Sequence, residues 1–264
     1  MSYLRILHFL AAILLAVSVK AEVEDSMSIG QRLHYETNTD ADGFKGKAVM
    51  GKDVPLYKEY SGSKKVSLPK PSAGSITLEQ AIQSRKSTRF YSEKSVTLGQ
   101  LSRLLLSADG ITHSYGKYAM RSAPSGGALY PVDIYVVAGN VDSLQAGLYH
   151  FQISDSSLEL VKEGDLRKNL CRAAHEQDMV EGAQLNFILT ARWDRSTKKY
   201  ADRGYRYTYM EVGAICENIY LQAAALGLGT VAVGAYDDDA VNKLLGVDGK
   251  DESSVLIMPI GVLK

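Results

Sequence analysis

The chain has 264 residues, 45% of them apolar, which is enough for one sizeable domain or two small ones with a packed core. Its 30 Lys and Arg residues balance its 30 Asp and Glu residues, so no net positive charge attracts nucleic acid, and we exclude that class of partner. The two cysteines, Cys171 and Cys216, do not have metal-ligand spacing, so we expect no metal site; a disulfide between them stays open.

The N-terminus has the pattern of a secretory signal peptide. Arg5 precedes an apolar run over residues 6–19, and Val19 and Ala21 occupy the positions that signal peptidase reads. The run is short for a membrane span, although an uncleaved anchor helix is the alternative. We therefore predict a signal peptide over residues 1–21 and an exported protein, either periplasmic or secreted.

Residues 22–75 differ in composition from the rest of the chain. They are polar, rich in Gly and Lys, and without sustained hydrophobic periodicity. This composition predicts an extended N-terminal arm that wraps around the following domain.

Regular patterning begins at Thr77. Capping boxes, formed by Thr77 with Gln80 and by Thr97 with Gln100, predict the starts of two helices. Strands are predicted over residues 132–137 (alternating), 185–190, 229–235 and 254–262, with a hairpin over residues 147–161. A long helix is predicted over residues 207–226 and a short one over residues 237–247. Because helices and strands do not alternate strictly, we predict the α+β class.

The first candidate binding element is the segment SRKSTRFYS, which follows the first helix. Three cations and two hydroxyl groups lie within five residues, and guanidinium forks with hydroxyl donors suit a phosphate. The alternative is a solvated helix end, where cations complement the helix dipole.

The second candidate element is the glycine-bearing segment SAPSGGALYP. Pro124 restricts the backbone, and Gly126 and Gly127 would let main-chain amides approach a flat or anionic ligand closely. An ordinary turn before a strand is the alternative. Gly234, at the end of a predicted strand, offers a third such element or simply close strand packing.

Lys199 and Tyr200 place an amine beside a phenol, a pair that can serve as base and acid. The alternative is an exposed, charged approach to the long helix. Trp193 precedes the pair and either covers a ligand or anchors the segment.

Taken in order, these segments resemble the nitroreductase-like flavoproteins, and within them the SagB/ThcOx-type dehydrogenase group. The resemblance rests on R-K-S-T-R, APSGGALYPVDIYVV, the Lys-Tyr pair, YMEVGAICENIYLQAAALGLGTVAVGAYDDDAVNKLLGV and LIMPIGV. It implies an FMN-binding domain over residues 76–264, with a central mostly antiparallel sheet flanked by helices. It also implies a homodimer with FMN at the subunit interface. The chain departs from the group at Ala214 and Glu217, where His and Gln are usual.

The resemblance also implies roles for individual residues. By this resemblance, Arg85, Ser87 and Arg89 would bind the flavin phosphate, the ribityl chain and the N1/O2 edge of the ring. The two sides of the isoalloxazine fall to a turn made of Pro124, Ser125, Gly126 and Gly127 and to a strand end made of Val233, Gly234 and Ala235. Proton transfer falls to Lys199 and Tyr200, and Arg121 would position the turn or contact the phosphate.

The activity implied is that of an FMN-dependent oxidoreductase, with hydride transfer between an organic substrate and flavin N5. The substrate would be a small molecule or a peptide heterocycle. Two alternatives stay open: an NAD(P)H-dependent nitro or quinone reductase, and a flavin-fold protein that binds a ligand without turnover.

Overall fold

A computed structural model of the chain describes residues 27–40, 43–44, 54–71, 74, 76–116 and 118–264. The predicted signal peptide lies outside these residues. Among the helices described, none is long and apolar enough to span a lipid bilayer.

The described elements, in chain order, fall into two sets. The strands are β1 (Thr39–Asp40), β2 (Gly43–Phe44), β3 (Lys65–Ser67), β4 (Val96–Thr97), β5 (Ile111–Tyr115), β6 (Tyr118–Arg121), β7 (Val132–Ala138), β8 (Val141–Asp142), β9 (Gly147–Gln152), β10 (Ser157–Glu163), β11 (Leu185–Arg192), β12 (Leu228–Thr230) and β13 (Glu252–Val262). The helices are α1 (Ile29–Glu36), α2 (Leu78–Ser84), α3 (Leu98–Asp109), α4 (Arg167–Ala173), α5 (Asp178–Gly182), α6 (Trp193–Tyr200), α7 (Arg203–Ala225) and α8 (Asp238–Leu245).

The centre of the fold is a seven-stranded sheet in the order β12-β13-β11-β7-β9-β10-β3. Every neighbouring pair in it is antiparallel. The predicted α+β class with a mostly antiparallel sheet is therefore confirmed. The predicted hairpin is also present, since β9 and β10 pair directly.

Helices cover both faces of the sheet. The strand predicted over residues 132–137 is present as β7, and every one of its residues is buried. Ile134 and Val136 enter a core shared with α3 and α7, whereas Tyr135 and Val137 enter a second core shared with α4 and α8. Each fully buried aliphatic side chain contributes about 1.5–3 kcal/mol to folding.

The long helix α7 begins at Arg203, four residues before its predicted start, and ends just before Gly227 as predicted. The predicted strand over residues 229–235 is wrong beyond Thr230. There the main chain leaves the sheet, because the amide of Ala232 donates to the Tyr220 hydroxyl (2.8 Å) rather than to a strand carbonyl. A single bridge between Val233 and Ile257 keeps the segment beside β13.

The N-terminal arm contains regular structure that the sequence pattern does not predict. Helix α1 starts with a capping box of Ser28 and Gln31, and it buries none of its side chains in the core. Arg203 and Arg206, on α7, donate hydrogen bonds to main-chain carbonyls at the C-terminal end of α1. Further along the arm, β3 forms the edge strand of the central sheet.

The two cysteines are both free. Cys216 is only half-buried, and burial raises the pKa of its thiol to about 11. The disulfide that the sequence left open is absent.

Candidate functional site

The glycine turn, residues 124–127, has a strained backbone. Gly127 has a φ of +68°, and two residues that follow, Ala128 and Tyr130, also have positive φ values of 55° and 48°. Left-handed conformations cost a side-chain-bearing residue about 1 kcal/mol or more. The amide of Tyr130 donates to Ser125 Oγ (2.8 Å) and holds the turn closed.

Lys199 and Tyr200 lie directly against this turn. A Cβ atom on Gly127 would lie 2.7 Å from Lys199 Nζ and 2.5 Å from Tyr200 Oη, so a side chain at this position would displace both groups. Lys199 Nζ lies 5.2 Å from the centroid of the Tyr200 ring. The structure therefore brings together two elements that the sequence placed more than 70 residues apart.

Helix α6 ends immediately after this pair, because Ala201 adopts a φ of +48° and a ψ of −145°. The Tyr200 ring then packs edge-on against Tyr207 of α7, with centroids 4.9 Å apart. Tyr207 in turn lies under Gly126, where an added Cβ would be 3.6 Å away. At the other end of α6, Trp193 packs on Tyr205 of α7 with centroids 4.8 Å apart, which fits the anchoring alternative.

Arg195 fastens α6 to the rest of the site. Its guanidinium donates to the carbonyl oxygen of Tyr130 (2.7 Å) and twice to that of Pro55 in the arm (2.7 and 3.1 Å). The same group lies 3.4 Å from the Asp133 carboxylate. One buried side chain thus joins the arm, the glycine turn and the helix that carries Lys199.

Of the two roles that the resemblance implies for Arg121, its geometry fits positioning of the turn, because the side chain is buried away from any surface where it could contact a phosphate. Its guanidinium is buried, lies 2.6 Å from the Asp109 carboxylate and stacks 4.3 Å above the centroid of the Tyr130 ring. The reason is the inward direction of β6 at its last residue. Arg121 instead supports Tyr130, and with it the glycine turn.

We call Asp109, Arg121, Asp133, Arg195 and Glu211 the buried ionic cluster. Burial raises the pKa of Asp109 to about 7, although Arg121 opposes the shift. Burial also acts on Asp133, but the nearby Arg195 guanidinium and other cations hold its pKa below the usual range. The guanidiniums thus contact two carboxylates directly.

Glu211, on α7, is the third carboxyl group of the cluster. Its residue is 3% exposed, and neither carboxyl oxygen has a hydrogen-bond partner among the described residues. Burial raises its pKa to about 8, and the adjacent Ser125 side chain offsets only part of that shift. No sequence pattern marks Glu211 as a site residue, because a single glutamate in an apolar helix looks like a surface position.

The arginine loop, residues 85–89, is rich in hydrogen-bond donors; Lys86, Ser87 and Arg89 are exposed, and Arg85 and Thr88 are half-buried. Within the part of the chain that the structure describes, neither Arg85 nor Arg89 forms an ion pair with a carboxylate. Ser87 pairs with Thr230 in a parallel bridge, and the Thr88 amide donates to the Thr230 carbonyl (2.8 Å). The loop therefore lies beside the end of β12.

Tyr220 joins the arginine loop to the strand end formed by residues 233–235. Its hydroxyl lies 3.2 Å from Ser87 Oγ and accepts from the Ala232 amide, and its ring lies 5.2 Å below the Arg85 guanidinium. Beyond Ala232, a Cβ atom added to Gly234 would meet no atom within 4 Å, so its backbone faces open space. No local pattern in the sequence marked Tyr220.

The predicted site residues thus form two groups, which we call half-sites. The arginine half-site contains Arg85, Ser87, Arg89, Val233, Gly234 and Ala235. The glycine half-site contains Pro124, Ser125, Gly126, Gly127, Lys199 and Tyr200. The first contacts α7 at Tyr220 and the second at Tyr207, thirteen residues earlier. At 1.5 Å per residue these contacts are about 20 Å apart along the helix axis.

Comparisons with known proteins agree with the fold. A sequence model described as Nitroreductase family matches residues 82–262. A protein of Methanocaldococcus jannaschii named as a nitroreductase is 36% identical over 191 residues, 72% of this chain and 93% of that protein. The microcin B17-processing protein McbC of Escherichia coli is 29% identical over 147 residues, 53% of this chain and 54% of that protein.

Solved structures give the same result. A protein from Anabaena variabilis, also named as a nitroreductase, superposes with a TM-score of 0.69 and 30% sequence identity. The match covers 89% of this chain and 46% of that longer chain. The two proteins therefore share the α+β architecture described above.

Proposed function

Since the chain belongs to the nitroreductase family, whose members are oxidoreductases, we propose that it is an FMN-dependent dehydrogenase of the SagB/ThcOx type. The single observation that carries this proposal is the contact of Lys199 and Tyr200 with Gly127. An amine and a phenol at a flavin-facing turn suit removal of a proton from a substrate. The likeness to a microcin-processing protein supports the same group.

The residues present fit FMN. Arg85 and Arg89 offer guanidiniums that no described carboxylate neutralises, which suits a phosphate dianion. Gly127 allows the main chain to approach without a side chain in the way, and the exposed backbone at Gly234 leaves room for a flat ring. Tyr220 would hold the two parts of the arginine half-site in register.

We further propose that two copies of the chain build each site. Both half-sites are expected to touch the same flavin ring, yet within one chain they contact α7 about 20 Å apart. A second copy brings an arginine half-site next to a glycine half-site. Large apolar side chains exposed on α2, on α7 and after the arginine loop support such a dimer: Leu78 (61%), Met210 (65%) and Phe90 (75%).

The dehydrogenation removes two hydrogens from the substrate, one as a hydride and one as a proton. Bound FMN would supply the hydride acceptor at its N5 atom. Lys199 Nζ, beside Gly127, would accept the proton as the neutral amine, while Tyr200 Oη would hold the adjacent substrate heteroatom by a hydrogen bond. The turn at Ala201, with its positive φ, and the hydrogen bond from Arg195 to the Tyr130 carbonyl hold helix α6 in place. They would therefore orient Lys199 and Tyr200 before the substrate binds.

The second candidate, an NAD(P)H-dependent reductase, is favoured by the 36% identity to a protein named as a nitroreductase. The flavin colour of the purified protein, and the compound that bleaches it, distinguish the dehydrogenase, the reductase and ligand binding without turnover. Purified protein that is yellow, bleaches anaerobically with a thiazoline-containing peptide and ignores NADH and NADPH supports the dehydrogenase. Bleaching by NADH or NADPH alone supports the reductase, and a colourless protein that takes up no added FMN leaves only ligand binding without turnover.

Two substitutions test the assigned roles. Lys199→Met and Tyr200→Phe should leave the flavin spectrum unchanged and slow bleaching by the peptide by about 100-fold, the scale of one general acid or base. Lys198→Met, on the same helix turn, is the matched control and should bleach at the wild-type rate. Unchanged rates in Lys199→Met and Tyr200→Phe would remove the proposed proton transfer.

Subunit mixing tests the composite site. An Arg89→Ala variant lacks the arginine half-site, and a Lys199→Met variant lacks the glycine half-site. Co-expressed, they should regain about a quarter of wild-type activity, because half of the dimers are mixed and each mixed dimer has one intact site. No recovery in mixed dimers would mean that each site is built by a single chain.

We also propose that the protein is exported, on the strength of the signal-peptide pattern at residues 1–21. A mature N-terminus near residue 22, measured by mass spectrometry, would support export. Retention of residues 1–21 in the cell membrane would favour the anchor instead.

A further inference from the structure

The buried ionic cluster has one carboxyl group more than it has guanidiniums. Arg121 contacts Asp109 at 2.6 Å and Arg195 contacts Asp133 at 3.4 Å, whereas Glu211 has no such contact. Asp133 also faces Arg192, whose Nη1 lies 3.9 Å from its carboxylate, and the His150 imidazole. A buried carboxylate without a counter-ion is costly, so the group is favoured in its neutral form.

Glu211 lies under the glycine turn. It follows Tyr207 by one helical turn on α7, and Tyr207 packs under Gly126. The side chain next to its carboxyl group is Ser125, whose oxygen accepts the Tyr130 amide and whose hydroxyl hydrogen remains available. The same turn is the part of the glycine half-site that would face FMN.

We propose that Glu211 is a positioning residue which, as a neutral acid, supports the glycine turn and permits FMN to bind above it. This inference rests on the proposed function, because it assumes that FMN occupies the site. In the ionised form, Glu211 would place an uncompensated negative charge in a dry interior below a ligand that carries a phosphate and becomes anionic when reduced. Ionisation would also pull the Ser125 hydroxyl toward the carboxylate and distort the strained turn.

The proposal predicts a pH dependence of FMN affinity that one substitution removes. Between pH 7 and pH 9, the dissociation constant of FMN, followed by quenching of flavin fluorescence, should rise about tenfold in the wild type. Glu211→Gln, which stays neutral and keeps hydrogen-bonding groups, should bind FMN tightly across the range. Glu211→Leu, similar in volume, should bind weakly at every pH. Glu163→Gln, an exposed site on β10, is the matched control and should follow the wild type.

A second measurement needs no cofactor. The infrared spectrum of the flavin-free wild type at pH 7 minus that of Glu211→Gln should contain the carbonyl stretch of a protonated carboxyl group; the subtraction removes the contribution of Asp109, whose pKa is also raised. Loss of this band above pH 8 in the wild type supports the assignment. Absence of the band at pH 7, or the same pH profile of FMN affinity in wild type and Glu211→Gln, overturns the proposal. If the protein takes up no FMN but shows the band, the proposed function fails while the neutral state of Glu211 stands.

Discussion

Replacing Gly127 with alanine inserts a methyl group between the glycine turn and the two side chains that face it. At a φ of +68°, alanine costs about 1 kcal/mol of stability for the backbone alone. The new Cβ atom would lie 2.5 Å from Tyr200 Oη and 2.7 Å from Lys199 Nζ. Ordinary contact distances begin at 3.4 Å, so both groups must move by about 1 Å.

The cost of backbone strain can be separated from the cost of displacing Lys199 and Tyr200, because a second glycine has the same φ value. Gly227 has the same φ of +68°, and a Cβ atom there would meet nothing within 4 Å. It follows α7, about 30 Å along the helix axis from Tyr207. Gly227→Ala therefore reproduces the backbone strain without disturbing Lys199 or Tyr200.

Urea denaturation should show both variants less stable than the wild type by about 1 kcal/mol. A displacement of about 1 Å in reacting groups lowers turnover by about 100-fold, so only Gly127→Ala should lose activity to that extent in the peptide-bleaching assay. Full activity in Gly127→Ala, or an equal loss in Gly227→Ala, would contradict the claim that Gly127 leaves room for the pair. Loss of flavin colour in Gly127→Ala would place the effect on cofactor binding instead.

Three further changes have outcomes that follow from described contacts. In the flavin-free proteins, the free energy of unfolding of Glu211→Gln minus that of the wild type should increase by about 1.4 kcal/mol per pH unit between pH 5.5 and pH 7.5. The sign follows from the raised folded-state pKa of about 8, since wild-type stability falls as pH rises from the unfolded value near 4.5 toward 8, and parallel urea curves would contradict it. Ala201→Gly should relieve the backbone at φ +48° and raise the free energy of unfolding by about 1 kcal/mol; a lower melting temperature would argue against strain there. Lys58→Met should lower the free energy of unfolding by about 3 kcal/mol, because it removes the ammonium group that lies 2.6 Å from the Glu252 carboxylate. The double variant Lys58→Met/Glu252→Gln should recover part of that loss. If the effects of the two substitutions were purely additive in a double-mutant cycle, the pairing would be contradicted.

Local sequence was sufficient where structure depends on neighbours along the chain. The capping boxes at Thr77 and Thr97 open helices as predicted, since each needs only residues three positions away. The β9–β10 hairpin follows for the same reason. The α+β class and the family resemblance were also correct, because several motifs occur in a fixed order.

The sequence could not predict features that depend on distant contacts. Glu211 looks like a surface residue until Asp109 of α3, Arg121 of β6 and Ser125 of the glycine turn come close to it in the fold. The strand predicted beyond Thr230 fails because Tyr220 takes a main-chain amide there. Helix α1 buries no side chain, and its eight residues are too few for a sustained periodicity. The roles of the predicted site residues stay predictions, although the structure places the members of each half-site near one another.

The hydrogen bonds from Arg195 to the Pro55 carbonyl limit how far the N-terminus of the protein can be truncated. The family match starts at residue 82, and a fragment trimmed to that boundary would discard both the carbonyl that grips α6 and the outermost strand, β3. Strand β10 would then expose a row of unsatisfied amides and carbonyls to other molecules, a common cause of self-association. Expression from residue 54 or earlier should yield dispersed material, whereas the trimmed domain should precipitate.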